Sequence, residues 1–342
     1  MLVQDVLRSL SHWIDDPAAA AIDPVVSHGF SGARVWRVEH DQHQFSLRQW
    51  PRSAGSPCRL GANIALQEHL AGDGLPVPKP ILTSNGFSIV CINGYSWGLA
   101  TWLSGHADYW HSPRLVKLQA ALAALAHVHN SAARMTDGGP KFQRRTSPSP
   151  ALLKRSNRLN EFVTGEFYQL EIAVSRHGES SDVSLAREAL SLIERTAPAQ
   201  LEASWRWRRT PLPLQWCLRD VWHDHILFTG DQVTGVIDFG AAAIDSPAGD
   251  VARLLGSLVG DDREAWRLGL DAYAAIRPLS PLELDAVQFF DSSGTVLSAA
   301  NWLHWLYREP AALGEQVDRP ACLKRLERLV TRLRTLAATS RS

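Results

Sequence analysis

The sequence predicts an α+β fold in two unequal parts, a small antiparallel β-sheet part at the N-terminus and a larger, mainly helical part after it. Three observations carry this. Short apolar–polar alternations, separated by glycines and polar turns, recur between residues 25 and 103. Helical spacing dominates from residue 113 onward. One β-like island, residues 212–237, interrupts that second half. Strands and helices segregated in this way indicate α+β architecture rather than alternating βαβ units. A length of 342 residues suits two lobes better than one core. The expected division is 1–103 and 104–342.

The elements follow in order. Leu2, Val3, Val6, Leu7, Leu10, Trp13 and Ile14 have helical spacing, broken by Asp5 and Arg8, unlike a signal peptide. Val25-Val26, residues 34–38 and residues 44–48 alternate as three strands, the last two joined by the polar turn His40-Asp41-Gln42-His43. Leu60, Ile64, Leu66 and Leu70 mark a helix that Gly72-Asp73-Gly74 closes, and Pro76, Pro78 and Pro80 then extend the chain. Strands are expected at 87–92 and 97–103 around the turn Asn93-Gly94. A long Ala-rich helix covers 113–130, and 137–150 reads as a Gly/Ser/Pro-rich surface loop. Helical patterns resume over 151–197 and from 248 to the end.

Composition narrows the function. Lys+Arg and Asp+Glu both number 35, so no basic surplus is available to gather phosphates, which argues against a nucleic-acid partner. Cys58, Cys91, Cys217 and Cys322 show neither zinc-ribbon spacing nor a disulfide framework. No stretch approaches the ~18–20 apolar residues of a membrane span, so the expectation is a cytoplasmic chain with no membrane partner. Most of the 13 tryptophans are expected in the core. Trp205-Arg206-Trp207-Arg208-Arg209 mixes aromatic and basic side chains but reads as a solvated segment before the island. The row Asn301-Trp302-Leu303-His304-Trp305-Leu306-Tyr307 reads as core, or as a wall of a ligand pocket.

The island carries the chemistry. Residues 218–228 and 233–240 flank a Gly-Asp turn, which is a hairpin signal. With Asp231-Gln232 at its tip, Ile226 faces Ile237 and His225 faces Asp238. Directly opposed side chains have Cβ atoms about 4.5–5.5 Å apart, the span that two ligands of one metal ion need. Asp220 precedes the hairpin by five residues, so a loop can return it to the same end. Upstream, Ser27-His28-Gly29-Phe30-Ser31-Gly32-Ala33 lies between strands, where glycines let backbone N–H groups approach phosphates closely.

These segments resemble the motifs of the aminoglycoside phosphotransferase and choline kinase superfamily, with type II homoserine kinases and, more distantly, protein kinases among its relatives. That family writes H-G-D-x-x-x-x-N, or H-R-D-x-x-x-x-N in protein kinases, then a hairpin, then D-F-G. The resemblance implies a protein-kinase-like two-lobe fold and transfer of the ATP γ-phosphate to a hydroxyl of a small molecule. It implies Asp220 as the catalytic base or orienter, Asp238 as a metal ligand, and Asp250 as a brace of the catalytic loop. Gly29, Phe30, Ser31 and Gly32 match the phosphate-covering loop. Arg48 stands where the family has a phosphate-contacting Lys, with Asn63 near its acidic partner's place and Glu68 the nearest acid. Residues 99–103, Thr101 among them, match the hinge that holds adenine, and residues 124–129 match the helix end written L-A-x-L-H. The likeness covers roughly residues 20–275. The run Arg219-Asp220-Val221-Trp222-His223-Asp224-His225 is also similar to that of a group of bacterial phosphotransferase-family proteins.

Two positions depart from the pattern. Leu218 stands for His, and His225 stands for the metal-binding Asn. Mg²⁺ prefers hard oxygen ligands and imidazole prefers transition metals. His225 therefore binds a metal such as Mn²⁺, or contacts phosphate, or the second metal site is lost. Two other classes stay open, a nucleotide-binding pseudokinase and a metal-dependent hydrolase built on His223, Asp224, His225 and Asp238.

Overall fold

The computed structural model describes residues 2–25, 32–52, 57–135, 145–310 and 318–339. The N-terminal alternations become one six-stranded antiparallel sheet. It contains β1 (Ala21–Val25), β2 (Arg34–His40), β3 (His43–Trp50), β4 (Pro80–Ile81), β5 (Val90–Ile92) and β6 (Tyr95–Thr101), in the order β1-β2-β3-β6-β4 with β5 also on β6. Both strand-joining turns place two successive residues at positive φ, Asp41 and Gln42 at 48° and 63°, Asn93 and Gly94 at 52° and 77°. Such turns match the right-handed twist of the strands they join. One face buries Trp36, Val38, Leu47, Trp97 and Leu99 against Val6 and Leu10 of α1 (Leu2–Leu10). Trp36 and Trp97 stack there, ring centroids 5.4 Å apart. The strand β4 was not anticipated; two residues long, it is too short to show alternation.

The helix α2 (Pro57–Gly72) buries Leu66 and Leu70 in the larger core, the one formed by the helical part. Its C-terminal end is fastened there by Asp73, whose Oδ2 lies 2.5 Å from Arg134. The helical part contains α3 (Leu115–Ala132), α4 (Pro150–Glu161), α5 (Phe167–Ser175), α6 (Ser181–Trp207), α7 (Ala248–Val259), α8 (Arg263–Ala274), α9 (Pro281–Leu303) and α10 (Arg319–Thr339). Among its main packings are α3 on α8, α7 on α9 and α6 on α10. Among the described residues no helix is long and apolar enough to cross a membrane.

Three expectations need correction. Residues 145–148 are not loop but β7 (Arg145–Pro148), which with β8 (Pro211–Cys217) and β11 (Ala243–Asp245) makes a second sheet in the order β11-β8-β7. The helix expected to end near 197 runs to Trp207, so Trp205-Arg206-Trp207 is helical. Trp207 is buried and stacks on Phe289, so the aromatic–basic run is a helix end with one face in the core. The hairpin of β9 (Ile226–Thr229) and β10 (Gln232–Val236) turns at Gly230-Asp231, not Asp231-Gln232. Ile226 therefore faces Val236 rather than Ile237. A bulge between Val233 and Gly235 shifts the register within it, and a Cβ at Gly235 would meet Leu227 Cδ1 at 2.8 Å.

The chain passes from sheet to helices along this hairpin. The Thr234 hydroxyl donates to Ser104 O at 2.7 Å, and His106 and Phe228 exchange two backbone hydrogen bonds of 2.9 Å each. Between them Gly105 has φ 111°, and a Cβ there would lie 2.8 Å from Phe228 O. Only glycine fits that backbone at that approach.

Candidate active site

The site grows out of the end of β8. The Leu218 and Arg219 amides donate to the two oxygens of Asp250, each at 2.7 Å. Asp250 sits in the first turn of α7, 1% exposed, and its Oδ2 also accepts His129 Nε2 at 3.0 Å. His129 Nδ1 meets the Tyr273 hydroxyl at 2.7 Å. Burial holds the His129 proton affinity below its ordinary value, so the neutral ring donates to Asp250 and accepts from Tyr273. Leu218 is buried and packs, filling the place where a histidine was expected. Arg219 is thereby held at φ 64°, a left-handed conformation that non-glycine residues seldom adopt, and Asp220 is delivered to the cleft.

His129, Cys217 and Asp250 bring their ligand atoms within 4.8 Å of one another. Asp250 already accepts three N–H groups, and the Cys217 thiol is directed at the Gln215 and Asp245 carbonyls. This cluster is a brace for the loop.

Asp220, His225 and Asp238 all line one cleft of about 1430 Å³ between sheet and helices. Asp220, its side chain 42% exposed, forms an ion pair with Arg253 of α7. Asp238 follows β10 with φ 64°. Its Oδ1 accepts Arg48 Nη2 at 2.9 Å and the Gly240 amide at 3.2 Å. Burial pushes its carboxyl up, but the Arg48 charge and then His225 outweigh this and hold it below the usual carboxylate range. His225 Nδ1 lies 2.6 Å from the Asp220 carbonyl oxygen, and Nε2 lies 3.8 Å from Asp238 Oδ2. The expected pairing of His225 with Asp238 across the hairpin is thus off by one residue, yet the left-handed turn at Asp238 brings the two side chains together.

The Trp222 indole N–H donates to His225 Nε2 at 2.8 Å. His225 is therefore a neutral ring with its proton on Nδ1, in keeping with a proton affinity that burial lowers. As donors for a divalent cation, Asp238 supplies a hard carboxylate oxygen, whereas the imidazole becomes available once the indole turns away. His223 lies elsewhere. Its Nδ1 is 2.7 Å from Ser257 Oγ, its Nε2 is 3.1 Å from Asp224, and its ring stacks on Trp110. The set His223, Asp224, His225 and Asp238 does not converge on one point, which removes the hydrolase constellation.

The remaining expected residues fall along the same cleft. Arg48 lines it and spends its guanidinium on Asp238, 190 residues away in sequence. No acid of α2 meets Arg48: Glu68 is exposed, and Asn63 donates to the Gly240 carbonyl at 3.3 Å. Thr101 lines the cleft, its amide donating to Lys79 O and its hydroxyl accepting the Lys79 amide, both at 2.9 Å. Gly32 has φ 65°; Gly29, Phe30 and Ser31 lie outside the described residues. In the same cleft, Val35 and Leu99 from the sheet and Leu227 and Ile237 from the hairpin form an apolar slot. Asn301, Trp302 and Trp305 also line the cleft, while Trp302, Leu303, Leu306 and Tyr307 are buried in the helical core, so the row serves as core and as cleft wall at once. Two of the residues that sequence reasoning missed had a signal. Arg253 lies three residues after Asp250 on one helix, and such residues share a face. Trp222 stands inside the motif itself. Arg155 and Arg328, which also line the cleft, come from distant helices and carried no local signal.

Comparison with known proteins places these features in context. Residues 24–287 match the model of the phosphotransferase enzyme family. A homoserine kinase of Brucella anthropi is 27% identical over 232 residues, covering 66% of this chain and 61% of that protein's length. The structure of a spectinomycin phosphotransferase in complex with ADP and spectinomycin superposes with TM-score 0.67 at 11% identity, covering 98% of each chain. That of an amicoumacin kinase in complex with AMP-PNP and Ca²⁺ superposes with TM-score 0.63 at 13% identity, covering 97% of this chain and 93% of that one.

Proposed function

The chain belongs to the phosphotransferase enzyme family, and from that premise we propose that it is an ATP-dependent kinase acting on a hydroxyl of a small molecule. The observation that carries the reading is the meeting of Asp220 and Asp238 in one cleft, both acting on the same His225 ring. Homoserine kinase activity in a relative and bound nucleotides in two structural neighbours support it. In this reading residues 1–103 bind nucleotide and residues 104–342 bring the acceptor and the catalytic loop.

Phosphoryl transfer asks the protein mainly for positioning and charge. The adenine would enter the apolar slot beside Thr101, and Gly29, Phe30, Ser31 and Gly32 are the residues expected to contact the phosphates. Asp220 would orient the acceptor hydroxyl and take its proton. Arg253, paired with Asp220, fixes that carboxylate and adds positive charge near the transferring group. Asp238 would hold Mg²⁺, or Mn²⁺ with the help of His225, and the bound cation supplies neutralisation of phosphate charge. Arg48 would then exchange Asp238 for a phosphate oxygen, since its fork of donors suits either anion.

The test is Asp220→Ala. AMP-PNP should still raise the melting temperature, while transfer to any accepted metabolite falls by ~10²–10⁴. Nucleotide binding without transfer to any hydroxylated acceptor, in wild type as in the variant, would favour a pseudokinase. Two observations favour that second reading: His225 is engaged by Trp222, and Arg48 pairs with Asp238 in place of an acid on α2.

A further inference from the structure

The helical wall of the cleft has an uneven supply of free charge. Its aspartates are all engaged. Asp220 pairs with Arg253, and Asp224 lies 3.1 Å from His223 and 3.8 Å from Arg325. Arg332 holds Asp261 at 2.8 Å and Asp291 at 2.6 Å. Asp262 accepts the Ala265 amide at 3.0 Å and caps α8.

Two arginines on this wall are different. Among the described residues, neither Arg155 nor Arg328 has a carboxylate within 4.0 Å. Arg155, on α4, gives one nitrogen to the Phe290 carbonyl at 3.1 Å and to Ser293 Oγ at 3.3 Å. Burial pushes its proton affinity down to about 10, the mark of a cation held with too little compensation. Arg328, on α10, lies 3.4 Å from the centroid of the Trp110 ring, which stacks on His223. A ring face attracts a cation but leaves the guanidinium edge able to grip an anion.

Of these carboxylates only Asp262, turned to cap α8, is outside an ion pair; an ammonium group reaching any other would have to displace a cation already there. The same cleft offers an anionic group two guanidinium groups that lack a carboxylate. From this we infer that the acceptor is a hydroxylated small molecule bearing an anionic group, carboxylate or phosphate, received by Arg155 and Arg328. The inference rests on the kinase reading above and narrows its acceptor. Polycationic acceptors, which need several carboxylates without cationic partners, fit this wall poorly. Trp302 and Trp305, edge to face at 5.2 Å, offer the carbon frame of such a molecule an apolar side.

The full-length chain is first loaded with AMP-PNP and Mg²⁺, a step that by itself tests the kinase reading; no nucleotide binding would sink that reading separately. The loaded protein is then titrated calorimetrically with four matched probes: glycerate, glycerol phosphate, glycerol and aminopropanediol. Glycerate or glycerol phosphate should bind at least about tenfold more tightly than glycerol, with aminopropanediol weakest. Whichever anion is tighter identifies carboxylate or phosphate. Arg328→Gln and Arg155→Gln should each bring the preferred anion close to glycerol, and Arg328→Lys should retain part of the preference. Equal binding of the four probes, none included, overturns the inference, as does preference for the amine. It also fails if the Gln variants weaken AMP-PNP instead of the anion, which would assign these arginines to the nucleotide.

Discussion

Replacing Asp250 with Asn changes a single oxygen in a side chain that is 1% exposed, and the consequence can be worked from three hydrogen bonds. Oδ1 accepts the Arg219 amide, while Oδ2 accepts the Leu218 amide and His129 Nε2. An Asn placed to keep Arg219 presents a donor to two other donors. Hydrogen bonds to a charged acceptor contribute ~1.5–3 kcal/mol each, so losing two costs about 3–6 kcal/mol, against about 5–15 kcal/mol for a whole domain. Arg219, at φ 64°, has little reason to remain left-handed without its amide partner. The loop should therefore open before the molecule unfolds. Hydrogen exchange of the peptide covering Leu218 and Arg219 measures this directly. At about 1.4 kcal/mol per factor of ten, those amides should exchange at least about a hundredfold faster in Asp250→Asn. Phosphoryl transfer should fall with them while nucleotide binding persists. Unchanged exchange, with stability altered by less than about 1 kcal/mol, would refute Asp250 as the support of the catalytic loop.

Two further outcomes follow from the same geometry. Trp222→Phe removes the indole N–H that occupies His225 Nε2, so Mn²⁺ affinity in the presence of AMP-PNP should rise about fivefold, the equivalent of one hydrogen bond; an unchanged Mn²⁺ titration, followed by electron paramagnetic resonance, removes His225 from the cation site. His129, His223 and His225 all have proton affinities lowered by burial, so below about pH 6.5 the unfolded chain takes up protons that the folded one refuses, and stability falls as pH falls, by up to about 1.4 kcal/mol per pH unit for each ring. Urea midpoints that rise between about pH 7.5 and about pH 5.5 would contradict this sign.

Much of this arrangement could be read from the sequence because its signals are local. Asn93-Gly94 and the alternation of 34–38 with 44–48 specify pairs and turns that neighbours in sequence complete. Asp220, Asp238 and Asp250 fall within about thirty residues, a span over which one hairpin settles their proximity. The off-by-one register has a physical cause: the turn sits one position earlier than expected, which moves the pairing by two residues, and the extra residue of the bulge between Val233 and Gly235 restores one of them; a glycine inside a strand is the mark such a bulge leaves. β7 and β11, four and three residues long, exist because β8 offers both of its edges, which no pattern within them announces. The ion pairs that set the charge of the cleft were not legible, even where the residues themselves carried a signal. Arg48, Arg155, Arg253 and Arg328 reach it from one strand and three helices, and only packing decides that the first and third meet carboxylates while Arg155 and Arg328 do not.

The seam between Ser104–His106 and the hairpin has a bearing on how the cleft could open. Because that connector is laced to Phe228 and Thr234, a swing of the sheet would pivot upstream of it, at residues 101–103. Asp220 and Asp238 would stay together as a fixed anvil, joined by α2, whose buried face belongs to the helical core. Arg48 would travel with the sheet. Opening the jaw would therefore pull the arginine off its aspartate, so the two open and shut cleft states would differ by one ion pair at the place where the proposed kinase would receive its nucleotide.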